Sequence, residues 1–275
     1  MFGYLLINKP IGPTSHDIVD RVRRMTGAKT VGHAGTLDPF ASGLLNVGVG
    51  RAATREFVKL VGLDKRYRAV LHLGATSDTD DRTGRITPLI MNNEQRTMNN
   101  SDRIVHSSSF IVHDSMPSES EIHATLKKFT GKIQQLPPIY SAKKIHGKKM
   151  YELAREGKTF ERQPVEVDIY SVSIVNYSLP PTPYSIILDI HCSSGTYIRA
   201  LARDIGEALG CGVYLEELER TAVGPFALEE SIKADELNKD NWEKYLLSPA
   251  SVIARSEQGE RRGDPAAEIA SRRLD

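Results

Sequence analysis

The spacing of apolar residues changes repeatedly along this chain, and never in a regular order. In "TSHDIVDRVRRMTG", Ile18, Val22 and Met25 recur at helical intervals. Thr14 and Asp17 have capping-box spacing there, and Gly27 suits the stop. "KRYRAVLHLG" alternates instead, which puts Tyr67, Ala69, Leu71 and Leu73 on one strand face. "MFGYLLINKP" reads as a short strand ended by a proline turn, and "LLNVGVG" as a buried strand. Ser118 and Glu121 repeat the capping spacing ahead of Ile122, Leu126 and Phe129, closed by Gly131. Residues 165–177 and 184–192 read as extended, and "YIRALARDIGEALG" as a helix that Gly210 ends. Strands and helices interleaved without regular βαβ spacing predict an α+β fold: a mixed, largely antiparallel central sheet flanked by helices and loops.

Residues 1–234 read as one domain, with a polar excursion at 91–117. The remainder, 235–275, reads as a short extension: a helix in "ADELNKDNWEKYLL", then a polar, charge-balanced tail expected to be disordered. No complete additional RNA-binding domain is expected in it. Lys and Arg total 36 against 35 Asp and Glu, so a nucleic-acid reading must rest on where the basic residues cluster. Such a cluster lies at 141–160, where Lys143, Lys144, Lys148, Lys149, Arg155 and Lys158 meet only Glu152 and Glu156. Tyr140, His146 and Tyr151 are interleaved, which fits either a solvated face or a mobile RNA-gripping loop.

Two cysteines, Cys192 and Cys211, lack zinc-ligand spacing and make no disulfide framework. The N-terminus carries no basic leader, and no stretch approaches the roughly 18 apolar residues that span a bilayer. A soluble, cytoplasmic, monomeric protein is expected. "GVGRAA" matches a dinucleotide fingerprint but lacks the following helical stripe with its acidic residue. "DTDDRTG" puts Arg82 where a calcium loop needs an oxygen ligand, so a turn is the better reading.

"GHAGTLDPFASGLL" sets one carboxylate, Asp38, on a loop containing Gly32, Gly35 and Gly43 beside an apolar flank. Asp-Pro alone can simply begin a turn. The glycines would also let the backbone approach a ligand closely, with His33 offering a polar or stacking contact. An ionised carboxylate in such surroundings needs a cationic partner. Arg199 of "CSSGTYIRA" is the candidate, although spacing allows a plain surface residue equally well. Arg203 can pair outward with Glu207. Tyr67 is either a core tyrosine or, with Lys65, Arg66 and Arg68 beside it, part of a phosphate-facing strand end.

"NKPIGPTSHD", "VGHAGTLDPFASGLL", "DKRYRAVLHLGATSDTDDRTG", "QLPPIYSAKKIHGKKMYELAREG" and "CSSGTYIRALARDIGEALGC" follow one another in this order. Together they resemble the TruB family of bacterial tRNA pseudouridine-55 synthases across roughly residues 3–226. The resemblance implies an isomerase that turns uridine 55 of the tRNA T-loop into pseudouridine, without cofactor or metal. It implies Asp38 as nucleophile, Tyr67 packed on the target base and Arg199 paired with the aspartate. His33 would contact displaced T-loop bases, while Tyr197 and Leu218 would line the uracil pocket. Lys9 would support the site wall, and about 136–158 would form an inserted RNA-clamping thumb bearing Lys143, Lys144, Lys148 and Lys149. The chemistry requires a flipped uridine whose base never escapes, with Asp38 attacking either C1′ or C6. A phenol is a poor base at neutral pH, so Tyr67 suits stacking better than proton abstraction. Two other readings stay open: a tRNA-binding folding chaperone, and a pseudouridine synthase acting on another RNA.

Overall fold

The computed structural model describes residues 2–89, 116–141, 143–145, 147–178 and 184–262. It is a mixed α+β structure with a large, mostly antiparallel sheet flanked by helices, as the interleaved patterns predict. In chain order its elements begin with β1 (Gly3–Lys9), α1 (Ser15–Thr26), β2 (Val31–Ala34), β3 (Ser42–Val49), α2 (Arg51–Arg55) and α3 (Phe57–Gly62). Then come β4 (Lys65–Leu73), β5 (Ala75–Ser77), β6 (Ile86–Pro88), α4 (Glu119–Leu126) and β7 (Gly131–Gln135). The hairpin β8 (Lys144–Ile145) and β9 (Lys148–Lys149) leads into α5 (Met150–Arg155), β10 (Val165–Ser178) and β11 (Ser185–Cys192). Last are α6 (Ile198–Leu209), β12 (Val213–Val223), β13 (Phe226–Ala227), β14 (Ile232–Lys233) and α7 (Pro249–Arg262).

The chain forms two compact units, and three strands contribute residues to both. The first comprises Met1–Arg68, His191–Ser194 and Leu218–Asp275. Its hub is β3, antiparallel to β1 and β2 and parallel to β12, where Arg220 is in register with Gly43. Leu45, Val47 and Val49 of β3 pack with Ile18, Val19 and Val22 of α1. Leu44, on the opposite face, packs with Tyr4, Leu6, Ala34 and Phe226. A strand covered on both faces reads as a continuous apolar run, which explains "LLNVGVG". Each such side chain contributes about 1.5–3 kcal/mol on burial.

Helix α1 is closed as its sequence predicts. The Asp17 N–H donates to Thr14 Oγ1 (3.1 Å), and the Thr14 N–H donates to Asp17 Oδ2 (2.8 Å). Gly27 then adopts the left-handed conformation at φ 69°.

The second unit comprises Ala69–Ile190 and Gly195–Glu217. Here β10 runs antiparallel to β7, and α4 packs against α6. Ser118 and Glu121 cap α4 reciprocally, and α6 buries Ile198, Leu201 and Ile205. Most of the 91–117 excursion lies outside the described residues.

Two local expectations are corrected. The helix expected in "ADELNKDNWEKYLL" is replaced by turns and a short 3-10 segment, Trp242–Tyr245. The Asn241 side chain accepts from the Asn238 N–H (2.9 Å), and Asn238 accepts from the Asp240 N–H (2.9 Å), so side chains take groups a helix would use. Helix formation begins instead at Pro249, after Ser248, whose hydroxyl accepts from the Ser251 N–H (3.2 Å). Lys65, expected at a phosphate-facing surface, is buried. Its ammonium donates to the carbonyls of Val61 (2.6 Å) and Leu63, satisfying the C-terminal end of α3.

Candidate active site

Asp38 lies on the connection between β2 and β3, and its neighbours are tied down from several directions. Ser15, at the start of α1, donates its hydroxyl to the Leu37 carbonyl (3.0 Å) and accepts from the Leu37 N–H (2.8 Å). The Gly12 N–H reaches the Pro39 carbonyl (2.8 Å), joining the "KPIGP" turn to Asp-Pro. The Ala41 N–H returns to the Asp38 carbonyl (3.1 Å), so Asp-Pro does open a turn, but within a braced loop.

Under the same loop lies Arg220 of β12, 1 % exposed. Its Nε donates to the Leu44 carbonyl (2.8 Å), and its terminal nitrogens donate to Gly35 (3.1 Å) and Thr36 (3.4 Å). Gly43 permits this approach: a Cβ there would stand 2.4 Å from the Arg220 carbonyl oxygen, and its φ of 107° is unfavourable for other residues.

The electrostatics of this unit centre on that guanidinium. Lys9, fully buried, donates to the carbonyls of Pro10 (2.8 Å) and Pro13 (3.0 Å). Burial lowers its pKa to about 8; the Asp38 charge pulls upward and Arg220 pushes down. His33 is held below the usual histidine range, chiefly by burial and then by Arg220. Its Nδ1 is buried with no hydrogen-bond partner among the described residues. Burial raises the Tyr67 phenol, and Arg220 opposes that shift by its charge and as a hydrogen-bond donor. A phenol pushed upward is a still weaker base at neutral pH. Leu218, buried on β12 two residues before Arg220, completes the sequence-derived candidates in this unit.

The start of β4 has its own clamp. Asp64 Oδ2 is 2.5 Å from His191 Nε2, and the Asp64 carbonyl accepts from the Gly224 N–H (2.9 Å). The hydrogen bond from His191 holds the Asp64 carboxyl below its ordinary range.

In the second unit, Tyr197 is the residue that opens α6, and its N–H and carbonyl are both held by the Gln135 amide (2.8 and 3.0 Å). Arg199 is buried rather than a surface residue. It donates to the carbonyls of Tyr140 (2.9 Å) and Thr79 (3.3 Å), and its guanidinium is 3.5 Å from the Asp81 carboxylate. Arg203, one turn on, is corrected from a surface pair with Glu207 at 3.9 Å. Its nearer partners are Asp80 (3.1 Å), Asp204 (2.7 Å) and the Leu136 carbonyl (3.0 Å). Asp80 takes φ 63°, a backbone state uncommon outside glycine, in the turn these arginines hold.

Lys144 and Lys149 pair in register across the β8–β9 hairpin, and Lys143 precedes it. Lys148 on the same hairpin is 3.7 Å from Glu156. Among the described residues no group of His, Cys, Asp and Glu could hold a metal ion, and no helix is long and apolar enough to cross a membrane.

Sequence reasoning thus found Lys9, His33, Asp38, Tyr67 and Leu218 in one unit, and Tyr197, Arg199 and the four lysines in the other. It missed Arg220 and Asp81. A signal for Arg220 was present: in a strand, the residue two positions after Leu218 shares its face. Nothing local announces Asp81, whose partner Arg199 is brought to it by the tertiary fold.

Comparison with known proteins completes the picture. The model of the TruB family pseudouridylate synthase N-terminal domain matches residues 23–109 and 91–198. The model of the tRNA pseudouridylate synthase B C-terminal domain matches 199–251. The tRNA pseudouridine synthase B of Heliobacterium modesticaldum is 38% identical over 274 residues, covering 99% of this chain and 78% of that protein. The protein of the same name from Chlamydia abortus is 41% identical over 230 residues, covering 84% of this chain and 86% of its own. A solved Cbf5–Nop10–Gar1 complex contains a chain 26% identical with a TM-score of 0.60. The match covers 87% of the present chain but only 54% of that one.

Proposed function

The chain belongs to the TruB family of pseudouridine synthases and is an isomerase that makes pseudouridine in tRNA, and from that premise we propose that its target is uridine 55 of the T-loop. The observation that supports the chemistry most is Asp38: a carboxylate on a braced loop, within electrostatic reach of the buried Lys9 ammonium. A nearby cation favours the charged form of an acid, which is the form a nucleophile requires.

In this reading the uridine leaves its stack at a cost of a few kcal/mol, and the small residues of the Asp38 loop let the backbone crowd it. His33, held neutral by its burial, has a buried Nδ1 with no hydrogen-bond partner among the described residues, which a displaced base reaching it would satisfy. An RNA partner would offset the cost of about 1–3 kcal/mol for a buried unsatisfied atom. Asp38 attacks C1′ or C6, which loosens the N1–C1′ bond. The N1–C1′ bond breaks with its electron pair on the base, the base turns, and C5 bonds to C1′; the bond to Asp38 is released, and the proton lost from C5 is matched by one taken up at N1. Tyr67 packs on the base, Leu218 lines its pocket and Lys9 supports the wall; for Tyr197 and Arg199 the family resemblance alone supplies a role, since Arg199 meets Asp81 in the structure. Lys143, Lys144, Lys148 and Lys149 contact phosphates from the thumb, a salt-sensitive contribution. Residues 1–234 carry this chemistry, with 235–275 as an extension and the enzyme acting as a monomer.

The test is to map pseudouridine in the tRNA of a host that lacks this activity, with and without the protein. Modification at position 55 is expected. Modification of another position or another RNA would refute the assignment, and none at all would favour a chaperone.

A further inference from the structure

Arg220 combines features that a residue serving only packing does not need. It is the largest side chain among the fully buried residues. Removing a guanidinium from water costs several kcal/mol, and an apolar side chain would fill the same space without that cost. Its use here follows from what must be held. A guanidinium carries five N–H donors in a rigid fork. The fork meets carbonyls on both sides of Asp38: Gly35 and Thr36 before it, Leu44 after it. Between those carbonyls, Ser15 and the Gly12 N–H hold Leu37 and Pro39. Asp38 is the residue between those last two anchors. Arg220 is also a charged neighbour shared by Lys9, His33, Lys65 and Tyr67.

We propose that Arg220 is a positioning residue for pseudouridine formation, its forked guanidinium fixing the 35–44 loop so that Asp38 points at the flipped nucleotide while its charge faces Tyr67. This rests on the reading of Asp38 as nucleophile. The parallel pairing of Arg220 with Gly43 supplies the leverage, because the anchor and the loop base share one backbone register. Lysine at this position keeps the charge but cannot span three carbonyls. Methionine keeps much of the stem's bulk and loses both charge and donors.

The experiment measures the single-turnover rate on tRNA at saturating enzyme, the Kd for tRNA and the melting temperature, for wild type, Arg220→Lys, Arg220→Met and Asp38→Asn. Displacing a reacting group by about 1 Å costs on the order of 10²-fold in rate. Arg220→Met is therefore expected to lose about 10²-fold and Arg220→Lys about tenfold per folded molecule, with Kd unchanged. If Arg220→Met does not fold, Arg220→Lys decides. Arg220→Lys at the wild-type rate, or a loss accounted for by its unfolded fraction or weakened tRNA binding, would overturn the proposal. Asp38→Asn separates the two readings. If it turns over normally, the nucleophile assignment fails. If it is inactive while Arg220→Lys is unimpaired, only the inference about Arg220 fails.

Discussion

Two regions of this molecule bury arginine, and they satisfy it differently. In the first unit Arg220 is held by neutral carbonyls of the Asp38 loop. In the second, Arg199 and Arg203 sit one turn apart on α6 and meet carboxylates, Asp81 for one and Asp80 with Asp204 for the other. Carbonyls fix a guanidinium's direction without cancelling its charge. Its field therefore reaches Lys9, His33 and Tyr67. Carboxylates neutralise as well as orient, which suits arginines that also grip main chain at Thr79, Leu136 and Tyr140. The first acts on neighbouring titratable groups, and the second ties the turn at 79–81 to the chain at 136–140.

Replacing Arg199 by methionine tests the sharper end of that contrast. It leaves Asp81, 3 % exposed, without this cation, and removes a positioned donor whose loss elsewhere costs about 10²–10³-fold in rate. Adding Asp81→Asn should restore much of the stability, measured by urea unfolding, and none of the rate. Recovery of the rate in the double variant would show that Arg199 is only a brace.

Arg203→Met should act mainly on stability, by about 2–4 kcal/mol, because Asp80 and Asp204 are left largely buried and unpaired. Burial already raises both carboxyls above their ordinary range. The deficit should therefore narrow toward acid pH, as they take up protons. Turnover per folded molecule should stay within about threefold, as expected of a residue whose observed partners are carboxylates and main chain. A rate loss of the size expected for Arg199 would erase the distinction between the two rungs.

A smaller effect separates the first unit by pH. Lys9 and Lys65 are each lowered from 10.5 to about 8. Between those values the unfolded chain holds protons that the folded one has released, so stability rises with pH from about 8. Tyr4 and Tyr214, raised to about 12, reverse the trend only above pH 10, where unfolded phenols ionise first. Lys65→Met should roughly halve the increase in urea midpoint between pH 8 and 9.5. An unchanged slope would mean that Lys65 holds its proton as firmly in the folded protein as in the unfolded chain.

What the sequence disclosed and what it hid divide along similar physical lines. Thr14 with Asp17 and Ser118 with Glu121 were legible because a cap is satisfied within four residues. The alternation of β4 was legible because period two needs only neighbours. Asp38 stood out by the glycines around it. Lys65 misled, since a lysine in a basic run looks solvated until a helix end is found for its ammonium. Arg203 misled because Glu207, four residues on, offers an adequate local partner, whereas Asp80 is closer only after folding. Arg220 was passed over for lack of a local partner: all its carbonyl acceptors come from one distant loop.

The proposed chemistry stands on the Asp38 carboxylate of the braced loop. Single-turnover conversion of tRNA by Asp38→Asn, alongside tRNA binding by the same preparation, tests it most directly. The account predicts undiminished binding and a rate lowered by at least about 10³-fold, as for loss of a nucleophile. Conversion at a substantial fraction of the wild-type rate would contradict it.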